Sequence, residues 1–143
     1  MTLRYFDSSA LVKRYVREPG SDRVREWLRT GPAATSRVAL AEVAAAAARR
    51  CREGDLSAAS LERLLMQLER DFTRLAVVEV TDDVNRRVLR LVREHPLRGF
   101  DALHLASCQL LASGAPGAVE FVCCDRDLLR AAEACGLACL DPA

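Results

Sequence analysis

An acid closes the first apolar run of the chain. Leu3-Arg4-Tyr5-Phe6 reads as a short buried strand, Asp7 follows it, and Ser8-Ser9-Ala10-Leu11-Val12 opens a helix. A strand running straight into a helix points to an α/β fold with a parallel sheet, whose ligands sit beyond the carboxyl ends of the strands. A carboxylate at that edge does little for packing and is well placed for a metal or a phosphate-linked ligand. An acid before a helix is also an ordinary N-cap. Three further acids, Glu42, Asp101 and Asp125, also stand in largely apolar neighbourhoods.

The remaining periodicity extends the α/β pattern. Residues 2–6 read as a strand, 9–17 and 21–29 as short helices parted by Pro19-Gly20, and 33–35 as a second strand. Ser36 is placed to cap an alanine-rich helix over about 37–53 that Gly54 stops. Ser57 caps the next helix, where Leu61, Leu64, Leu65, Leu68 and Phe72 recur at helical spacing. The β-branched run Ala76–Val80 predicts a strand, and Thr81 caps a helix carrying Val84, Val88, Leu91 and Val92. Residues 101–112 are apolar nearly all round, so that helix is expected to be buried. After the break at Gly114 through Gly117 come a strand at 119–123, a helix at 126–135 and a last strand at 137–140. Strands alternating with helices imply a parallel sheet of about five short strands covered on both faces.

Length suits one domain spanning 1–143, and with half its residues hydrophobic the chain has material for a sizeable core. No stretch reaches the ~20 apolar residues of a membrane span. The longest, Val38 to Ala48, is broken by Glu42 and ends in Arg49-Arg50. Met1-Thr2-Leu3-Arg4 lacks the pattern of a secretory signal. These features predict a cytoplasmic protein without a membrane association. A formal net charge of +1 argues against general coating of nucleic acid and leaves room for a local basic rim. Lys13 is the only lysine, so the positive charge is almost all Arg, a side chain suited to bidentate phosphate contacts. The six cysteines form no C-x-x-C pair, and His95 and His104 are not spaced to complete a zinc site. They read as small core hydrophobes.

Each acid has a plain structural role open to it. Asp7 and Asp125 could be caps, and Asp101 could sit in a first helical turn where the macrodipole favours an anion. Glu42 is harder to explain that way, because a carboxylate among apolar residues needs a partner. Asp7 and Asp125 both follow strands, and Asp101 begins the helix leading into the second of them. If those strands are neighbours at a switch point, these acids face one crevice and Glu42 can reach it. Crowded carboxylates raise one another's pKa and call for cations. Oxygen donors without His or Cys favour Mg²⁺ or Mn²⁺ over Zn²⁺. Carboxylate-held Mg²⁺ suits hydrolysis of a phosphodiester.

Four blocks carry a family resemblance. They are Tyr5-Phe6-Asp7-Ser8-Ser9-Ala10-Leu11, Ser36-Arg37-Val38-Ala39-Leu40-Ala41-Glu42-Val43, Leu97-Arg98-Gly99-Phe100-Asp101-Ala102-Leu103-His104-Leu105-Ala106 and Cys124-Asp125-Arg126-Asp127-Leu128-Leu129-Arg130-Ala131-Ala132. In order and spacing the chain resembles PIN-domain nucleases, and more narrowly VapC-type toxins of toxin–antitoxin pairs, from residue 3 to about 140. The resemblance implies a three-layer α/β/α sandwich with a central parallel sheet. It implies a Mg²⁺-dependent endoribonuclease that cuts RNA by metal-activated water, a homodimer, and a small antitoxin that occludes the active-site groove. By the same resemblance Asp7, Glu42, Asp101 and Asp125 are the catalytic, metal-holding acids. Ser8, Ser36 and Asp127 are auxiliary candidates, with helix capping the plainer role for Ser36. His104 is expected to pack or hydrogen-bond and not to act as a catalytic base. Both helical stripes, Leu11 to Leu28 and Leu61 to Phe72, are expected to leave apolar patches exposed for an antitoxin segment or a second copy.

Other readings fare worse. A haloacid-dehalogenase-like phosphatase needs a second acid two residues after the first, where Ser9 stands. A response-regulator receiver needs a lysine on a late strand, and Lys13 lies on the first helix. A catalytically inactive PIN-like module that binds RNA or protein is the remaining alternative. A binding scaffold has no reason to keep buried carboxylates.

Overall fold

The computed structural model describes residues 2–114 and 117–143. The two residues inside the Gly114–Gly117 break, and Met1, lie outside that description.

Five strands form one all-parallel sheet. They are β1 (Leu3–Phe6), β2 (Ala33–Ser36), β3 (Ala76–Val78), β4 (Val119–Val122) and β5 (Ala138–Leu140). Among the described residues seven α-helices join them: α1 (Ser8–Leu11), α2 (Ser21–Thr30), α3 (Val38–Arg52), α4 (Ala58–Asp71), α5 (Asp82–Glu94), α6 (Gly99–Gly114) and α7 (Arg126–Ala134). The sheet order is β3-β2-β1-β4-β5. The chain builds outward from β1 through β2 to β3, then crosses back to lay β4 on the other side of β1. The order therefore reverses between β1 and β4, which opens a crevice at their carboxyl ends.

Alternation along the strands sorts the core into two faces. Tyr5 and Phe121 pack on one side, with Val84 and Leu91 of α5, Ala102, Leu105 and Ala106 of α6, and Leu128 of α7. Phe6 and Val122 pack on the other, with Leu11 of α1, Val24 of α2, Val43 of α3 and Leu68 of α4. The result is the expected α/β/α sandwich. β1 and β4 pair from Leu3 with Val119 to Phe6 with Val122, so both strands stop at the same level. The Tyr5 and Phe121 rings stack across that pair, with centroids 5.8 Å apart and planes 13° apart.

Several boundaries differ from the sequence expectation. The first helix ends at Leu11 and tightens into a 3₁₀ turn over Val12–Arg14, instead of running to 17. That turn lets the Tyr15 hydroxyl donate to Asp71 at the end of α4, 2.6 Å away. β3 stops at Val78, because Glu79 turns outward to pair with Arg37 and Val80 is exposed. Ser57 and Thr81 cap α4 and α5 as expected. Ser36 is the last residue of β2, and its hydroxyl accepts from the Val38 N–H at 3.3 Å, ahead of the N-cap position that Arg37 occupies.

The expectation of exposed apolar stripes is corrected. Leu11, Val16, Val24, Leu64, Leu68 and Phe72 are buried. Val12, Tyr15, Trp27, Leu28, Leu61 and Leu65 are partly buried against them. α1 and α4 pack on α3, and α2 packs on the 3₁₀ turn that follows α1, and this consumes both stripes. Among the described residues the exposed large apolar side chains are instead Met66, Val80, Leu89, Val92 and Phe100. All six cysteines are free thiols. Burial raises Cys108 to about 12 and Cys124 and Cys139 to about 11, so they stay protonated, as core hydrophobes should. Among the described residues no helix is long and apolar enough to cross a membrane.

The stacked pair at the sheet centre should dominate stability. Phe121→Ala is expected to cost about 3–5 kcal/mol in urea unfolding. Leu89→Ala, on the exposed side of α5, is expected to stay within about 0.5 kcal/mol.

Candidate active site

The residue after β1 and the third residue after β4 are both acids, so in-register pairing brings them to one edge. Asp7 is buried. Its Oδ1 accepts from the Ala10 N–H at 3.0 Å, the capping bond expected of an acid before a helix. The Ser9 hydroxyl also reaches both carboxylate oxygens, at 2.7 and 2.9 Å, and accepts from the Cys124 N–H at 3.2 Å beyond β4. Ser9 thus ties the ends of the two central strands together through the Asp7 carboxylate. Asp125 caps α7, with its Oδ1 accepting from the N–H groups of Asp127 at 2.9 Å and Leu128 at 3.1 Å.

Glu42 comes from the second turn of α3 and finds the partner its surroundings demand. Its Oε1 lies 2.7 Å from His104 Nε2, and its Oε2 accepts from the Ser8 hydroxyl at 3.1 Å. His104 is buried, with Nδ1 2.8 Å from the Tyr5 hydroxyl. A carboxylate only accepts, so the hydrogen at Nε2 points to Glu42. In the neutral ring Nδ1 then accepts from the Tyr5 O–H. Burial holds the Tyr5 phenol well above its ordinary pKa, which keeps that proton in place. The chain Tyr5–His104–Glu42 runs from the sheet core to the site, and His104 is the hydrogen-bonding residue that the sequence suggested.

Asp101 lies in the first turn of α6. Its Oδ2 accepts from Arg98 Nε at 3.2 Å, and Arg98 Nη2 stands 4.0 Å from Asp125 Oδ2. A guanidinium that is 84 % exposed thus lies between two of the acids.

Asp7, Glu42, Asp101 and Asp125 line one cavity of about 1090 Å³, together with Ser8, Ser9, Arg49, Arg98 and Phe100. Two auxiliary candidates stand apart from its lining. Asp127 is 75 % exposed and faces Arg130, while Ser36 is buried in β2. Sequence reasoning did not single out Ser9, Arg98, Arg49 or Phe100. The signal for Ser9 was its place two residues after Asp7, where a hydroxyl reaches back to the preceding carboxylate. The signal for Arg98 was its i, i+3 spacing from Asp101.

Burial pushes the Asp7 carboxyl above its usual range, opposed by His104 and by the hydrogen bonds from Ser9 and Ala10. Its hydrogen-bond donors are neutral, so the charge lacks a cationic side chain in direct contact. The all-oxygen donor set fits a hard cation in chemistry. Among the described residues no three Asp, Glu, His or Cys side chains converge on one point as they stand. Arg98 occupies the space between Asp101 and Asp125, and its exposure leaves it free to swing out.

The PIN domain family matches residues 4–134, and the chain belongs to that family. Within it, the similarity is to VapC-type proteins. The chain is 41 % identical over 137 residues to ribonuclease VapC45 of Mycobacterium tuberculosis, covering 95 % of this chain and 93 % of that protein. It is 36 % identical over 147 residues to ribonuclease VapC46 of the same species, covering 99 % of each. A solved toxin–antitoxin complex from Klebsiella pneumoniae shares the fold at a TM-score of 0.68 and 17 % identity, covering 100 % of this chain and 98 % of that one. PAE2754 from Pyrobaculum aerophilum superposes at 0.68 with 20 % identity, covering 99 % and 90 % of the two chains.

A buried carboxyl with a raised pKa costs stability once ionised. The penalty grows as pH rises above the ordinary carboxyl range and persists at neutral pH. Asp7→Asn removes the charge and keeps an oxygen for Ser9 and Ala10. In EDTA at pH 7 the variant should melt above the wild type, with the difference shrinking as pH falls toward the ordinary carboxyl range. Differential scanning calorimetry at several pH values checks both parts.

Proposed function

We propose that this protein is a metal-dependent endoribonuclease, the toxin of a type II toxin–antitoxin pair, which hydrolyses RNA phosphodiester bonds. One observation carries the reading: four carboxylates from four separate segments meet in one cavity at the switch point of a parallel sheet. The 36–41 % identity to full-length VapC ribonucleases supports it. Fold neighbours solved as toxin–antitoxin complexes are consistent with it.

Asp7, Glu42, Asp101 and Asp125 would hold Mg²⁺ or Mn²⁺. The chemistry such an ion supplies when bound is activation of water and stabilisation of charge on the phosphodiester. The rest belongs to the chain. Ser9 fixes the Asp7 carboxylate, Ser8 with His104 fixes that of Glu42, and two N–H groups of α7 fix that of Asp125, so three of the four acids are held before substrate arrives. Burial of Asp7 beneath the cavity keeps its charge poorly screened by water and so strongly drawn to a cation. Arg98, neutralising Asp101 and Asp125 in the meantime, is free to turn to a phosphate once a cation replaces it. The partners of this reading are an RNA substrate, a cognate antitoxin and a second copy in a homodimer, in the cytoplasm. We set aside the binding-only module because all four acids line the cavity.

Two experiments test the reading. Mg²⁺ or Mn²⁺ at millimolar concentration should raise the melting temperature over an EDTA control, since a ligand bound by the folded state alone stabilises it. A flat response counts against the site. Asp7→Asn and Asp101→Asn should each lower RNA cleavage by about two orders of magnitude or more, in line with loss of an electrostatic contributor worth ~3 kcal/mol, while circular dichroism stays unchanged. Full activity in either variant would remove that residue from the set of required ligands.

A further inference from the structure

The four phenylalanines of the chain divide unevenly. Phe6 and Phe121 are fully buried and Phe72 is 7 % exposed, whereas Phe100 is 59 % exposed. Phe100 is the second residue of α6 and lines the acidic cavity. It shares a helix face with Leu103 and His104, at i+3 and i+4, and His104 is the residue that reaches Glu42. The ring therefore stands on the cavity side of α6, one turn nearer solvent than the histidine.

Two arginines stand at the same mouth. Arg49 follows Glu42 at i+7 and Ala46 at i+3 on α3, so one face of that helix carries the carboxylate inward and the guanidinium outward. Arg98 precedes Phe100 by two residues. Both side chains are largely exposed, and their ion pairs with Glu53 and Asp101 are surface contacts that an incoming anion exchanges easily. The floor of the cavity is acidic and repels phosphate. Beyond what a cation on that floor holds, a polyanion is held here by the rim, and among the described lining residues the exposed large apolar side chain is Phe100.

We propose that Phe100 is a stacking platform for an unpaired nucleobase of RNA, with Arg49 and Arg98 taking the adjoining phosphates. The inference rests on the ribonuclease reading above and assigns to Phe100 the contact that holds a splayed base at the mouth of the cavity. A base inside a duplex is stacked on both faces, so only a splayed nucleotide presents a free face to the ring.

The test uses the full chain. In an Asp7→Asn background with Mg²⁺, fluorescence anisotropy compares a labelled RNA oligonucleotide with the same strand annealed to its complement. Adding Phe100→Ala should weaken binding of the single strand about tenfold, in keeping with ~1–3 kcal/mol per stacked base. Phe100→Trp should retain the affinity, Phe100→Leu should not, and the duplex should bind more weakly whichever residue stands at 100. Melting temperatures of the three variants should match their parent. In the otherwise unaltered chain, Phe100→Ala should raise KM for single-stranded RNA with kcat less affected.

Equal affinity and equal KM for Phe100→Ala and its parent would overturn the proposal. So would duplex binding as tight as single-strand binding, or full retention by Phe100→Leu, which would indicate apolar packing. A Phe100→Ala variant that loses self-association in sedimentation while binding RNA normally would assign the ring to a protein contact instead. If the unaltered chain cleaves no RNA with Mg²⁺ or Mn²⁺, this inference and the ribonuclease reading fall together. If it cleaves and Phe100→Ala is indistinguishable, only the stacking role falls.

Discussion

The pairing of β1 with β4 is the contact on which the site depends. Neither strand exceeds four residues, and each is buried between two helical layers. Their register sets Phe6 beside Val122, so the chain leaves both strands at one level and Asp7 emerges beside Cys123 and Cys124. A one-residue slip would exchange the two faces of β4, turning Phe121 away from Tyr5 and Val122 away from the opposite cluster. The stacked rings and the Asp7–Ser9–Cys124 bridge therefore secure the same alignment, one from the core and one from the edge.

Around that edge the protein balances charge without surrounding the acids with cations. Glu42 meets an imidazole and a hydroxyl, Asp125 meets two backbone N–H groups, and Asp101 meets one guanidinium. Asp7 has neutral donors alone in direct hydrogen-bond contact. Asp7 is also the most buried of the four, and the arrangement favours whatever cation reaches it. Structural acids are usually paired more completely.

Much of this was legible in the chain. The parallel sheet followed from short apolar runs alternating with helical periodicity, and the shared crevice followed from acids at strand ends. Two kinds of feature were not. The breadth of α1 depended on Tyr15 finding Asp71 far along the sequence, a contact that no local pattern records. The fate of the apolar stripes depended on how α1, α2, α3 and α4 stack. Surface-to-volume scaling suggested a surplus of apolar surface, but the packing absorbed it. Glu42 shows the boundary between the two cases. Its apolar setting announced that a partner was needed, and only the fold revealed that the partner is His104, itself held by Tyr5.

The sheet order has a consequence for synthesis on the ribosome. β1 is made first, yet one of its two neighbours is β4, which is translated only after β2 and β3. Until that strand emerges, the central strand has an open edge, Ser9 lacks its Cys124 contact, and the cleft lacks Asp125 altogether. Closure of so distant a pairing comes late in folding. A half-made chain therefore does not contain the site that the finished one assembles. The topology itself thus makes the site one of the last parts of the described fold to form.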